Sequence, residues 1–506
     1  MQWIIRLPFF VVLMGLGAIA MLLPAAHAAV VEDFTTMRVF FYGFILFSVL
    51  TLLIGLTMSG YAPGNVARSQ LIGLLAAFSV LPLMFAVPFY EAVGDTTFLD
   101  AWFEMVSSFT TTGATVYEGG DDVTASQHLW RSTVGWLGGL LVWITAVSIF
   151  APMNLGGFEV RATAAVGRGT TGTFTQIGAV ADPSERLLRY TLALTPVYMG
   201  LTLVLWIGLM MLGERSYIAL AHAMAVLSTS GITPIGGLYF AASGFLGEVL
   251  IFTFFVFALS RLTFSQGLAE ERNQRLWRDP EFMTAVVLIG LATSALFLRH
   301  FFANTDINAS FGVPDMLIAF WGTLFTVTSF LTTTGFESQF WGEATDWSRL
   351  STPGLFLIGL ALIGGGVATT AGGVKLLRIY ALFRHLEREQ ERLLSPSSVG
   401  GGGRDARRIR RQGAYISWVF FMLFALSIAA VMLLLSLTGV PFETGMVLTV
   451  ASLSTTGPLA VVAAESPISY AALPEAAKII LAGAMVLGRL ETLAIIALFN
   501  PEIWQR

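Results

Sequence analysis

Four short stretches of this chain share a signature: an apolar residue, then Ser or Thr, Thr, Ser or Thr, and Gly. They read FTTTG at Phe109 to Gly113, LSTSG at Leu227 to Gly231, LTTTG at Leu331 to Gly335 and LSTTG at Leu453 to Gly457. The residues that could do chemistry are thus Thr110, Thr111, Thr112 and Gly113; Ser228, Thr229, Ser230 and Gly231; Thr332, Thr333, Thr334 and Gly335; and Ser454, Thr455, Thr456 and Gly457. Glycine takes backbone angles that let successive carbonyls point one way, and hydroxyls add further neutral oxygens. A ring of carbonyls from four such loops replaces the water shell of a monovalent cation. No tetrad holds a carboxylate, which argues against a divalent site built on charged ligands. A single copy would read as close helix packing through small residues. Four copies, with glycines 118, 104 and 122 residues apart, read instead as an internal repeat.

The elements that must hold these loops follow from composition. The chain is 55% hydrophobic and only 12% charged, a polytopic membrane composition. Charge-poor windows of roughly 20 residues, enough to cross a bilayer as helix, centre near residues 15, 48, 80, 142, 200, 254, 290, 362, 427 and 487. These runs are too long and unalternating for barrel strands, so the expected fold is all-α. Just before each signature lies a shorter apolar segment (FLDAWFEMVSS, YIALAHAMAV, MLIAFWGTLFTVTS and FETGMVLTVAS) of a length that reads as a half-membrane helix. Such a helix, entering from outside, turns its partially negative C-terminus to the bilayer centre and favours a cation there. The repeat is then helix, half-crossing loop, helix. Irregular backbone at that depth is tolerated only where protein or a water-filled cavity surrounds it.

Arg161, Arg168, Arg186 and Arg189, then Arg261, Arg272, Arg275 and Arg278, then Lys375 through Arg411 mark the cytoplasmic loops. Asp95, Asp100, Glu118, Asp121, Asp122, Glu337, Glu343 and Asp346 face outward on this reading, either raising local cation concentration or serving as solvated surface. Arg6, the apolar run and AAHAAV at residues 25 to 30 mimic a secretory signal, but the run exceeds a usual signal core and is expected to be a retained first span. With no cysteine, disulfides and thiolate chemistry are excluded.

Gly364, Gly365, Gly366, Thr369, Thr370, Gly372 and Gly373 fall within ten residues, a composition that disfavours continuous helix; a break in the membrane or a close helix crossing both fit. Arg489 lies inside the last apolar run, where a charge costs roughly 2.5 to 3.5 kcal/mol on insertion scales. Glu491, two positions on, does not share its face; pore water and carbonyls of the glycine-rich stretch are the expected neighbours.

The four tetrads, with IGGGVATTAGGVK at Ile363 to Lys375 and LGRLETLAIIALFNP at Leu487 to Pro501, resemble the Trk/Ktr/HKT superfamily of potassium transporters, most closely its bacterial Trk branch. The resemblance covers nearly the whole chain, including two leading spans. It implies about ten transmembrane helices and four helix–pore loop–helix repeats with pseudo-fourfold symmetry. The expected divisions are 1–66 for the leading helices, repeats at 67–160, 161–268, 269–384 and 413–506, and a cytoplasmic linker at 385–412. It further implies potassium as the transported ion, no cofactor and no catalysis. A homodimer in the bacterial inner membrane, with a cytoplasmic N-terminus and a cytosolic nucleotide-binding ring as regulator, also follows. By the same resemblance the residues from Gly364 to Gly373 named above form a gating loop, Arg489 an electrostatic barrier in the pore, and Gly113 favours potassium, since serine there accompanies sodium preference in the plant branch. Ala114, Ile232, Phe336 and Pro458 follow the four glycines, so the filter is not truly symmetric; Pro458 lacks the donor its counterparts could use.

FRHLEREQERLL reads as helix and SPSSVGGGGRDARRIRRQ as a flexible basic linker suited to orientation and anionic lipid, with nucleic acid a poor second. The nearest rival is the same architecture passing sodium, or coupling potassium to sodium or protons. A membrane enzyme would need clustered acids or histidines, whereas His27, His128, His222, His300 and His385 are scattered. An alternating-access carrier would pair inverted halves, which four like units do not.

Overall fold

The computed structural model describes residues 7–58, 60, 66–117, 122–153, 155–160, 183–260, 276–303, 312–350, 352–394, 411–464 and 466–491. Among them every regular element is helical. Three helices lead: α1 (Phe9–Ala20) and α2 (Leu22–Val30), which together make one crossing, and α3 (Phe34–Met58). Asp33 starts α3 by accepting the Thr36 amide at 3.1 Å. Gly17 and Gly43 let this pair lie close to Phe85 and Pro88 on α4 (Val66–Val93). Pro82 and Pro88 sit inside α4, as neighbouring helices permit in a membrane.

The first quarter is completed by α5 (Phe98–Phe109) and α6 (Ala125–Thr145), which runs on through a π turn at Ala146–Phe150. Thr97 caps α5 by accepting the Asp100 amide at 3.1 Å. The second holds α7 (Pro183–Met211), α8 (Ser216–Ser228), α9 (Gly244–Phe254) and α10 (Val256–Leu259). In the third are α11 (Pro280–Ala303), α12 (Val313–Leu331), α13 (Trp341–Ser348), α14 (Pro353–Ile363) and α15 (Leu376–Leu394). The fourth has α16 (Arg411–Leu437), α17 (Phe442–Leu453), α18 (Leu459–Val462) and α19 (Glu475–Leu490). Proline opens α7, α11 and α14, where its missing N–H costs nothing.

Eight helices among the described residues are long and apolar enough to cross a membrane. The windows near 254, 362 and 487 appear as shorter pieces: Gly244–Leu259, interrupted at Phe255; Pro353–Ile363; and Glu475–Leu490, which ends at the edge of the described residues. The first two stop for one reason: both run into the segment 364–373, whose Gly366 amide donates to the Ala258 carbonyl at 2.9 Å. The eighth long helix is α12, expected as a half-crossing segment. It reaches 19 residues because Pro314 and Asp315 extend its start, Asp315 accepting the Gly312 amide at 3.0 Å. Residues 161–182, 261–275 and 395–410, with most of the basic loops, and 492–506 lie outside the described residues, as do Glu118 and Asp121.

Buried aromatics join the quarters. Phe40 of α3 meets Trp130 of α6 edge-on at a ring separation of 5.5 Å, fastening the leading bundle to the first quarter, and Phe255, between α9 and α10, lies 5.3 Å from Phe325 of α12. Where inner helices pass the loops they carry glycine: a methyl group on Gly138 of α6 would overlap the Phe109 carbonyl, and one on Gly488 of α19 the Leu453 carbonyl.

Candidate functional site

The helices α5, α8, α12 and α17 end in the same way. The middle threonine of each signature, Thr111, Thr229, Thr333 or Thr455, is left-handed, with φ of 55, 53, 56 and 54°. Its amide donates to the carbonyl three residues back at 2.9 to 3.2 Å, and the next amide donates to the carbonyl five back at 2.8 to 2.9 Å, from Thr112, Ser230, Thr334 and Thr456. This is the closing pattern of a helix that usually has glycine at its left-handed position. A β-branched residue there is strained. These caps use up the amides of the middle threonine and the residue after it and turn the chain sharply.

The hydroxyls divide by position. In every loop the first and third bond to each other: Thr110 with Thr112 at 2.8 Å, Ser228 with Ser230 at 3.0 Å, Thr332 with Thr334 at 3.0 Å and Ser454 with Thr456 at 3.3 Å. Ser and Thr serve equally in that pairing, which explains the alternation in the signature. The middle hydroxyl is always threonine. The Oγ1 atoms of Thr111 and Thr455 make no hydrogen bond, that of Thr229 donates to Ser228 O at 2.7 Å, and that of Thr333 accepts the Gly372 amide at 2.8 Å. Two hydroxyls in each loop thus brace the loop itself.

The loops close on one another. A methyl group on Gly113 would overlap the Ser230 carbonyl, one on Gly231 the Thr334 carbonyl, one on Gly335 would press the Pro458 ring at 3.0 Å, and one on Gly457 would overlap the backbone of Ala114. First touches second, second third, third fourth and fourth first. Among the described residues the carbonyl oxygens of Thr111, Thr229, Thr333 and Thr455 accept no hydrogen bond. Gly113, Gly231 and Gly335 are left-handed; Gly457, preceding Pro458, is not. The amides of Ala114, Ile232 and Phe336 make no hydrogen bond among the described residues, so the donor missing at Pro458 is not what sets the fourth loop apart.

Each loop is braced from behind by different chemistry. Nine residues before the glycine, Glu104 accepts the Val116 amide at 3.1 Å and pairs with Arg131 at 2.6 Å, wholly buried. The equivalent residues are His222, bonded to Thr233 at 3.1 Å, and Thr326, which accepts the Ser338 amide at 3.2 Å. Leu448 occupies this place in the fourth quarter, and Tyr470 donates to Gly457 O at 3.1 Å instead. Glu248 of α9 reaches across to the third loop, accepting from Trp321 Nε1 at 2.9 Å, Ser338 Oγ at 2.8 Å and the Gln339 amide. Lys478 of α19 pairs with Asp100 of α5 at 2.6 Å. Asp95, Asp100 and Asp122 line a cavity of about 620 Å³ with Tyr117 and Lys478, Glu343 and Asp346 are exposed on α13, and Glu337 is half-buried two residues after Gly335.

On the opposite side of the ring lies the segment from Gly364 to Gly373. Its neck is laced by three bonds of 2.9 Å, from the amides of Val374, Lys375 and Leu376 to the carbonyls of Leu362, Ile363 and Gly365. Gly364, Ala368, Gly373 and Lys375 are left-handed, which keeps the segment from continuing α14 as helix. Thr369 Oγ1 donates to Gly366 O at 2.7 Å, and the Lys375 ammonium to Ala371 O. The tip meets the second, third and fourth loops directly and the first through Arg489. Arg489 donates from Nε to Thr110 O at 2.8 Å and from Nη1 to Thr370 O at 2.6 Å, Thr370 Oγ1 donates to Leu227 O at 3.1 Å, Gly372 N donates to Thr333 Oγ1, and Gly372 abuts Ser454 O. Arg378, just past the neck, pairs with Glu491 at 2.7 Å and lies 3.6 Å over the Phe420 ring.

Glu104, Glu248, Arg378 and Glu491 were not singled out as site residues from sequence. An acid inside an apolar run, as in WFEMV and LGEVL, was the available signal. Tyr470 had none. The histidines bond singly, His27 to Ser126, His128 to Arg131 and His300 to Trp347 O; no cluster of His, Asp and Glu among the described residues could hold a metal.

A family model described as a cation transport protein, TrkH, matches residues 242–506. The chain is 28% identical over 453 residues to the Trk system potassium uptake protein TrkH of Escherichia coli K12, covering 87% of this chain and 86% of that one. To the Trk system potassium uptake protein TrkI of Halomonas elongata it is 26% identical over 438 residues, 85% and 82% of the two chains. Its fold is similar to the crystal structure of the potassium transporter TrkH from Vibrio parahaemolyticus, with a TM-score of 0.78, 22% identity and full coverage of both chains.

Proposed function

The chain belongs to the TrkH family of cation transport proteins, and from that premise we propose that it takes up potassium through a pore made where its four signature loops meet. It is a membrane transport protein rather than an enzyme. The observation that carries the reading is the closure of the loops on one another, each glycine against its neighbour's backbone or proline. Four pore helices end at that ring with their partially negative C-termini, and the unbonded threonine carbonyls are oxygens that would replace the ion's water. Glycine is required at Gly113, Gly231, Gly335 and Gly457 because a side chain there would collide with the neighbouring loop. Selection of potassium over sodium, pseudo-fourfold symmetry and the expected repeat divisions form part of this proposal.

Loop 364–373 and Arg489 act in it as the gate. The guanidinium places a positive charge beneath the ring and ties the loop to the first filter strand, so passage requires both to move. The face carrying Asp95, Asp100 and Asp122 is outward, and that carrying α15 is cytoplasmic, where a nucleotide-binding regulatory ring would dock. Residence in the bacterial inner membrane, a cytoplasmic N-terminus and a homodimer complete the proposal.

A second reading, in which the same pore passes sodium or couples potassium to sodium or protons, draws support from the fourth loop, whose glycine departs from the left-handed conformation of the other three. Ion replacement with the purified chain in proteoliposomes tests both. Potassium flux well above sodium flux supports the first; equal fluxes, or potassium flux that needs a sodium or proton gradient, support the second. Adding a cytosolic ring subunit should change the potassium rate.

A further inference from the structure

The four loops offer their oxygens unequally. At the left-handed threonines all four carbonyls are unbonded. One residue later, Ser230 O and Thr334 O are unbonded among the described residues, but Thr112 O accepts the Gly457 amide at 2.6 Å and Thr456 O accepts the Leu459 amide at 3.1 Å. At the glycines, the Gly113, Gly231 and Gly335 carbonyls accept nothing among the described residues, whereas Gly457 O accepts twice, from the Ala460 amide at 3.1 Å and from Tyr470 Oη at 3.1 Å. A carbonyl oxygen has two lone pairs, so Gly457 O has none left for an ion.

The cause is local. Pro458 opens the short helix α18, and the residue before a proline is pushed towards extended conformations. The first turn of α18 then draws in the Thr456 and Gly457 carbonyls. Tyr470 arrives on the segment that folds back along α18, where the Ile468 amide donates to Ala460 O at 3.0 Å. Its buried ring lies 5.9 Å from that of Phe103 on α5, in the apolar cluster shared with Ala114 and Ala460. A tyrosine hydroxyl buried there needs an acceptor, and the one it takes belongs to a filter strand.

We propose that Tyr470 is a positioning residue for ion selection: with the Ala460 amide it withholds the Gly457 carbonyl from the ion, and through the Gly457 amide it fixes the Thr112 carbonyl of the first strand. Coordination is then fourfold at the threonine layer and three-sided at the glycine layer, where an ion keeps water on the fourth side. This rests on reading the loops as a potassium filter.

The test is potassium and sodium flux measured on the same proteoliposomes, for the wild-type chain and for Tyr470→Phe. A ratio is independent of how much protein folds, so a purely structural role of the hydroxyl would leave it unmoved. Loss of one hydrogen bond to the strand is expected to lower the potassium-to-sodium ratio roughly threefold or more, with potassium flux retained. A selective wild type and an unchanged ratio in the variant would overturn the assignment while leaving the potassium reading intact. A wild type that carries neither ion would overturn the potassium reading and the assignment together. Should Tyr470→Phe fail to fold, Pro458→Ala, which frees Gly457 from the pre-proline restriction, is judged on the same ratio: a fall supports the assignment and no change overturns it.

Discussion

Thr111, Thr229, Thr333 and Thr455 occupy a conformation that costs an ordinary residue roughly 1–2 kcal/mol, and four such residues in one chain mean that the surroundings impose it. The sequence reading located the loops but gave the unusual backbone angles to the glycines alone, because a left-handed helix end normally shows glycine and here shows threonine. Where glycine does stand, space is the constraint. Gly335→Ser should change the potassium-to-sodium flux ratio far more than Gly290→Ser, since Gly290 is exposed on α11 with nothing near its missing side chain whereas Gly335 faces Pro458; equal effects would remove Gly335 from the filter. Glu104→Gln should lower thermal stability of the purified protein by an amount equivalent to about 3–5 kcal/mol, because it leaves the buried Arg131 without its counter-charge. Adding Arg131→Met should recover part of that loss, and a melting temperature unmoved by the single change would show that the pair carries no strain-bearing role.

Segment 364–373 was legible as an element in outline: too many glycines for a helix, in a place where helix was due. Its docking was not legible, since each contact joins residues far apart in the chain, Thr370 to Leu227 and Arg489 to Thr110 among them. Helix lengths failed for the same reason. Hydropathy reads a window near 254 or 362 as a span, yet α10 and α14 end where the loop meets them. Arg489→Ala releases both Thr110 O and Thr370 O and removes the positive charge, so potassium flux without a regulatory partner should rise; flux unchanged across voltage would exclude a barrier role. Thr370→Val removes only the bond to Leu227 O. Its effect should run the same way but be smaller, roughly two- to tenfold for one hydrogen bond, read by the same flux measurement.

At the scale of the whole molecule, the ring brings together segments that begin near residue 110 and end near 457, and it exists only when every quarter is in place. An ion bound there favours the folded chain by mass action. The melting temperature in detergent should therefore rise more steeply with potassium than with sodium at equal ionic strength, and identical curves would deny the ring its preference. The overall architecture was readable from hydropathy and repetition because both are properties of long stretches, while the fastenings between quarters, such as Lys478 to Asp100, depend on single side chains meeting across the fold. The fourth strand carries a proline after its glycine and the other three do not. Had the assembly been built from four identical polypeptides, one codon change would install that proline in every quadrant or in none. Encoding all quadrants of the proposed pore in a single reading frame would let mutation act on them one at a time, so that preference among alkali ions could be adjusted in quarter steps that a homotetramer has no means of taking.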